Sequence, residues 1–186
     1  MRCPRNRSLR SSKNILVHKG DNVIKKALKG ILIIGMIVVA CGSREQAKQS
    51  DNSDFTLPSL DGTEYTLSEF RGQVVIIDFW ATWCPPCRNS IPTFIRLYEK
   101  YHEHGFTILG VSLDNNEQDL RNFSRQMNIP YPVLIGNNEV AKTYQVSGIP
   151  KTIFLDKKGN IRKTQVGFAP ELEAGFDQLV STLLAE

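Results

Sequence analysis

From residue 73 onward the chain alternates between short apolar runs and amphipathic stretches. QVVIIDFW, Gln73 to Trp80, is nearly continuous in apolar residues, the pattern of a strand buried on both faces of a sheet. From about Cys84 to Glu103, Ile91, Phe94, Ile95, Leu97 and Tyr98 fall on one helical face, and Pro92 among them predicts a kink. FTILGVSLD, Phe106 to Asp114, reads as a second buried strand. EQDLRNFSRQMN spaces Leu120, Phe123 and Met127 by three and four, which predicts an amphipathic helix. YPVLI is a short strand and NEVAKTYQV a short helix. KTIFLD and IRKTQVG flank Lys158-Gly159-Asn160 as a hairpin. PELEAGFDQLVSTLLAE closes the chain as a helix with Pro170 in its first turn. Upstream, FTLPSLDGTEYTLSEF carries Asp61-Gly62 between β-prone stretches, a hairpin signal, with Phe55 and Tyr65 as core candidates. This order predicts an α/β domain over residues 55–186: a mixed central sheet flanked by helices, with an N-terminal β-hairpin extension.

The first 54 residues follow a different pattern. ILIIGMIVVA, Ile31 to Ala40, is apolar but about half the ~20 residues that a membrane-spanning helix needs. A basic stretch, a short apolar run and small residues make the layout of a signal peptide, expected over residues 1–40. The basic stretch is long, and VIKKALKG from Val23 is a more usual opening, so residues 1–22 are expected to precede the true start. The run ends Val38-Val39-Ala40-Cys41, which resembles the lipidation motif of bacterial lipoproteins. That resemblance implies cleavage before Cys41 and acylation of it, and several acyl chains anchor a protein stably. Residues 41–54 are polar and aperiodic, an expected flexible tether spanning about 20 Å as a Gly/Ser-like coil.

The overall charge of +4 belongs to the leader. Residues 1–40 hold nine Lys/Arg against one acid, Asp21, which leaves 14 bases and 18 acids downstream. A domain at −4 has no electrostatic basis for binding nucleic acid.

There are four cysteines. Cys3 leaves with the leader and Cys41 is expected to be blocked by lipid, so Cys84 and Cys87 are left to bond with each other, with another molecule or with a metal. A zinc site needs four ligands. The histidines are His18 in the leader and His102 and His104 about five turns from Cys87, so ligand count argues against metal, and no cofactor is implied. A purely structural bridge across two residues closes almost no loop. Redox chemistry is the reading that the location supports. The pair follows a buried strand and opens a helix, where unpaired N–H groups and the dipole stabilise a thiolate. Cys84, at the open end, is expected to attack; Cys87, a turn further in, is expected to resolve the mixed disulfide. Pro85-Pro86 fixes the turn and removes two N–H groups from it.

VVIIDFWATWCPPCRNSIP resembles the active-site segment of the thioredoxin superfamily, and in particular the membrane-tethered TlpA/ResA-like reductases. The likeness runs from about Phe55 to Glu186 and includes FTLPSLDG…YTLSEFRGQVV, GVSLD and VSGIPKTIFLD. It implies a thioredoxin fold and a redox-active Cys84–Cys87 disulfide. It also implies a cis Pro150 against that pair, which leaves the Ile149 backbone free to join an incoming chain as a short strand. Trp83, Pro85, Pro86 and Ile149 are expected to form the substrate-facing surface, while Phe79 and Trp80 pack. The partners implied are protein disulfides outside the cytoplasm, including those of cytochrome c maturation, and a membrane dithiol carrier that supplies electrons.

Two departures matter. Family members often carry Glu three residues after the second cysteine, where this chain has Ser90, and Asn in the strand, where it has Asp78. Asp78 matches the buried acid of cytoplasmic thioredoxin. A buried carboxylate is costly without a role, so Asp78 is expected to accept the Cys87 proton rather than merely bond within the core. Lys151 stands where Thr is common and is expected to do no more than tune charge. Two rivals remain: a peroxiredoxin-like thiol peroxidase and a non-catalytic thioredoxin-fold lipoprotein. Against the first, Thr82 lies two residues before Cys84 rather than three, and the usual Pro is missing.

Overall fold

The computed structural model describes residues 53–186. The expected signal peptide, Cys3, His18, Cys41 and the expected tether up to residue 52 lie outside the described residues.

Two sheets carry the fold. β1 (Thr56–Pro58) and β2 (Glu64–Thr66) form an antiparallel hairpin. Its turn holds Gly62 at φ 90°, a conformation that favours glycine, and Asp61 Oδ1 accepts from Ser59 Oγ at 2.5 Å and Thr63 N at 2.8 Å. The second sheet has β3 (Val74–Trp80), β4 (Phe106–Ser112), β5 (Val133–Ile135), β6 (Lys151–Leu155) and β7 (Ile161–Val166) in the order β5-β4-β3-β6-β7. β3, β4 and β5 run parallel, and β6 pairs antiparallel with β3 on one side and β7 on the other. This is the mixed sheet of the thioredoxin fold.

The helices are α1 (Pro85–Tyr101), α2 (Glu117–Met127), α3 (Asn138–Thr143) and α4 (Leu172–Ala185). α1 continues through Pro92 and ends in a 3-10 turn at His102–His104. α2 is capped by asparagine at both ends: Asn116 Oδ1 accepts from Gln118 N at 2.9 Å, and Asn128 takes the left-handed conformation. Pro170 lies two residues ahead of α4 rather than in its first turn. It sits in a turn closed by Leu172 N to Ala169 O at 3.0 Å and Glu173 N to Pro170 O at 3.2 Å. Ser53 and Asp54, expected in the tether, are bonded to the domain: Tyr144 Oη donates to Ser53 O at 2.5 Å, and Ser68 N donates to Asp54 Oδ1 at 2.9 Å.

Every residue of β3 and β4 is buried, as their apolar runs require. Strand alternation divides β3 between two cores. Val75, Ile77 and Phe79 pack with Phe55, Leu57 and Tyr144 on one face. Val74 and Ile76 meet Phe94 and Leu97 of α1 and Phe176 of α4 on the other. Trp80 continues that second face into a cluster with Cys84, Cys87 and Ile91. Burying each large apolar side chain contributes about 1.5–3 kcal/mol, so the sheet is a firm base for the β3–α1 junction.

Candidate active site

Cys84 and Cys87 meet where β3 gives way to α1. Their sulfurs are bonded at 2.06 Å, with Cα atoms 5.3 Å apart. The N-terminus of a helix leaves several N–H groups without helical partners. Here Cys84 N donates to Ala81 O at 3.2 Å, and Pro85 and Pro86 have no N–H. That leaves Cys87 N, which donates to Cys84 Sγ at 3.3 Å. One N–H therefore faces the sulfur, not several, because two prolines occupy the first helical positions. When the pair is reduced, that N–H and the helix dipole favour a thiolate on Cys84.

Cys84 is 4% exposed and Cys87 0%. Cys84 is thus less open than expected, because it packs among Trp80, Ala81 and Ile91 with Ile149 against the same cluster. Beside it Trp83 is 65% exposed, Pro85 and Pro86 are exposed and Ile149 is half-buried. The Ile149–Pro150 peptide is cis, and Ile149 O lies 3.8 Å from Cys84 Sγ. A disulfide sulfur carries no proton, so this is packing in the oxidised form; a Cys84 thiol can donate across it.

Asp78 sits directly across from Thr152 on β6 and from Gly110 on β4. It shares strand parity with Ile76 and Trp80, so it faces the side of the sheet that α1 covers. It is 2% exposed, and its Oδ1 accepts from Thr152 Oγ1 at 2.9 Å. Burial raises its pKa from 3.8 to about 7, against the opposing pull of that hydrogen bond. Trp80 Nε1 and Tyr131 converge over Gly110, each 3.2 Å from where a Cβ would stand. Burial, then the Asp78 charge, pushes the Tyr131 phenol well above 10. Ser90 is fully buried and turns its hydroxyl to Cys87 O at 2.8 Å.

One group near the site is absent from the sequence reading. Asp114, just past β4, accepts from Thr82 N at 2.9 Å, Thr82 Oγ1 at 2.6 Å and Ser112 Oγ at 2.8 Å. It ties down the turn that carries Trp83 and Cys84. The signal was available: an acid ends the GVSLD motif at the mouth of a buried parallel strand. His102 and His104 are exposed at the far end of α1. Among the described residues no three His, Cys, Asp or Glu side chains gather as a metal site, and no helix is long and apolar enough to cross a membrane.

A dithiol pair at a helix N-terminus, facing a cis-proline loop on a thioredoxin fold, defines a thiol–disulfide exchange protein. Residues 49–164 match the AhpC/TSA family. A thiol-disulfide oxidoreductase ResA of Geobacillus thermodenitrificans is 33% identical over 115 residues, 61% of this chain and 66% of that relative's length. A Chlorobium tepidum structure described as a putative thiol:disulfide interchange protein DsbE superposes with TM-score 0.67 at 33% identity, over 70% of this chain and 93% of that one. The exposed lipoprotein thioredoxin Etrx1 of Streptococcus pneumoniae superposes with TM-score 0.60 at 29% identity, over 69% and 98%. The chain belongs to the AhpC/TSA family, with the thioredoxin-like thiol-disulfide oxidoreductases of ResA and DsbE type, and is an enzyme of that class.

Proposed function

We propose that the protein reduces disulfides in proteins outside the cytoplasm while held to a membrane by lipid on Cys41. Cys84 attacks a substrate disulfide, and Cys87 displaces the product and closes the internal bridge. A membrane dithiol carrier returns the pair to the dithiol form. The observation that carries this reading is the setting of Cys84 Sγ, 3.3 Å from the Cys87 N–H and 3.8 Å from the Ile149 carbonyl. The first stabilises an attacking thiolate, and the second lies beside a backbone suited to an incoming chain. Likeness to the TlpA/ResA-like reductases extends the reading to disulfides handled in cytochrome c maturation.

Direction is set by the relative stability of the two redox forms. Equilibration of the purified protein with glutathione is expected to give a potential well below that of strongly oxidising catalysts, which sit near about −120 mV. A value near that figure would sink the reductant reading. The anchor rests on the VVAC sequence that ends at Cys41 and on likeness to a protein described as an exposed lipoprotein. Mass spectrometry of the mature N-terminus is expected to find acylated Cys41; an unmodified Cys41 would remove the anchor. A thiol-peroxidase reading is weaker, since the Thr82 hydroxyl is taken up by Asp114 at 2.6 Å. Rapid consumption of hydrogen peroxide with a thiol donor would revive it.

A further inference from the structure

Lys151 does something that its sequence position does not announce. It is the first residue of β6, directly after the cis Pro150, and its Nζ donates back to Tyr144 O at 2.7 Å and Gln145 O at 2.9 Å. Those two carbonyls belong to the C-terminus of α3. There Gln145 N bonds Lys142 O at 2.9 Å and Val146 N bonds Ala141 O at 2.8 Å. This is the Schellman pattern, whose left-handed residue is usually glycine. Here it is Gln145, at φ 51°, a conformation that costs a residue with a Cβ. The pattern leaves the carbonyls of Tyr144 and Gln145 without backbone partners, and the ammonium takes both. A positive charge at a helix C-terminus is also favourable there. Lys151 thus holds both ends of one loop. Its backbone fixes the Pro150 end, and its side chain fixes the Gln145 end. Between them lies Ile149, whose carbonyl stands 3.8 Å from Cys84 Sγ. A threonine at position 151 is too short to reach α3.

The geometry points to Lys151 as a positioning residue for substrate: its ammonium, locked onto the end of α3, holds the Ile149 backbone in the place where a polypeptide disulfide docks against Cys84. This rests on the reading that Cys84 attacks polypeptide disulfides presented along Ile149. The step itself is ordinary exchange. The Cys84 thiolate forms a bond to one substrate sulfur and the other sulfur leaves as a thiolate. Lys151 takes no part in the transfer, so its removal acts on docking and not on the attack.

The pre-reduced full chain in detergent is mixed in single turnover with two disulfides. One is a cystine-bridged polypeptide that needs the loop, and the other is bis(2-hydroxyethyl) disulfide, which does not. Lys151→Met is expected to raise the half-saturating concentration of the polypeptide about tenfold or more, the effect of losing charge-assisted hydrogen bonds. Its limiting rate, and the rate with the small disulfide, should stay within about twofold of wild type. Lys151→Arg keeps charge and donors and should restore polypeptide binding. Gln145→Gly should also restore it within the Lys151→Met background, because glycine takes the left-handed turn without help. This second rescue separates loop positioning from a general loss of fold, which a melting curve reports in parallel. Equal slowing with both disulfides would make Lys151 a charge acting on the Cys84 thiolate and overturn the inference. Unchanged polypeptide binding in Lys151→Met, or no rescue by Gln145→Gly, overturns it as well. A wild-type chain that reduces neither disulfide defeats the reductase reading itself.

Discussion

Replacing Cys84 with Ser should abolish turnover of disulfide substrates, by at least ~10³-fold, because the one thiol left at the junction, Cys87, is fully buried. Replacing Cys87 should have a different result. Cys87→Ser keeps the attacking sulfur but loses the thiol that displaces the product, so it should stop after one event and accumulate a mixed disulfide with substrate. The Cys87 N–H that supports Cys84 Sγ at 3.3 Å belongs to the backbone and survives the substitution. The Cys84 thiol in Cys87→Ser should therefore titrate below the free value of ~8.5, and below Cys87 in Cys84→Ser. Thiolate absorbance against pH in the two variants, with non-reducing gels for the trapped species, checks both halves. If the trapped species forms in Cys84→Ser instead, the roles are reversed.

Asp78→Asn should slow release of the mixed disulfide roughly tenfold to a hundredfold while leaving the first attack much less affected. Cys87 is fully buried, and a thiol near its free pKa of ~8.5 is mostly protonated at neutral pH. Ionised Asp78 is expected to take that proton; with its pKa raised to about 7 it is about half ionised at neutral pH and increasingly so above it. Resolution in wild type should rise through pH 7, and Asp78→Asn should lose that inflection. Stability gives an independent reading. In the unfolded chain Asp78 ionises near 3.8, and in the folded chain near 7. Between those values only the unfolded state has lost the proton, so wild-type stability falls as pH rises; above pH 7 the penalty is constant. It amounts to on the order of 4 kcal/mol at most. Asp78→Asn escapes it, less what an unpartnered amide costs. Denaturant midpoints should therefore show the variant gaining on wild type from pH 4 to pH 7, starting from the offset that the amide sets at pH 4. Stopped-flow resolution rates unchanged from pH 6 to 9 would leave Asp78 a structural residue.

The long elements were legible because their side chains repeat. The apolar run of β3 and the three-and-four spacing of Leu120, Phe123 and Met127 state a strand and a helix without reference to anything distant. Phe79 and Trp80 were legible as packing for the same reason. Contacts across the fold were not. Nothing local says that Asp114 holds Thr82, or that Lys151 reaches back to Tyr144 and Gln145, since each pairing exists only after the sheet has brought the segments together. The single N–H facing Cys84 was half legible: Pro85-Pro86 states locally that two donors are missing from the turn, but Cys84 N meets Ala81 O only in the folded loop. Pro170 was placed inside α4 when it only leads in, the usual uncertainty of a helix boundary.

The N-terminal hairpin has a meaning in terms of self-association. A sheet edge offers a row of free N–H and C=O groups to any other strand it meets. On the β5 side that row is occupied: Ser59 bridges Leu134, and Leu60 N donates to Val133 O at 2.9 Å. The other edge is β7, where Arg162 is exposed and Lys163 half-buried. Charge on an edge strand discourages a second copy from adding to it. The sheet is thus covered on one side by its own hairpin and carries charge on the other, which leaves neither edge a bare template for a second copy.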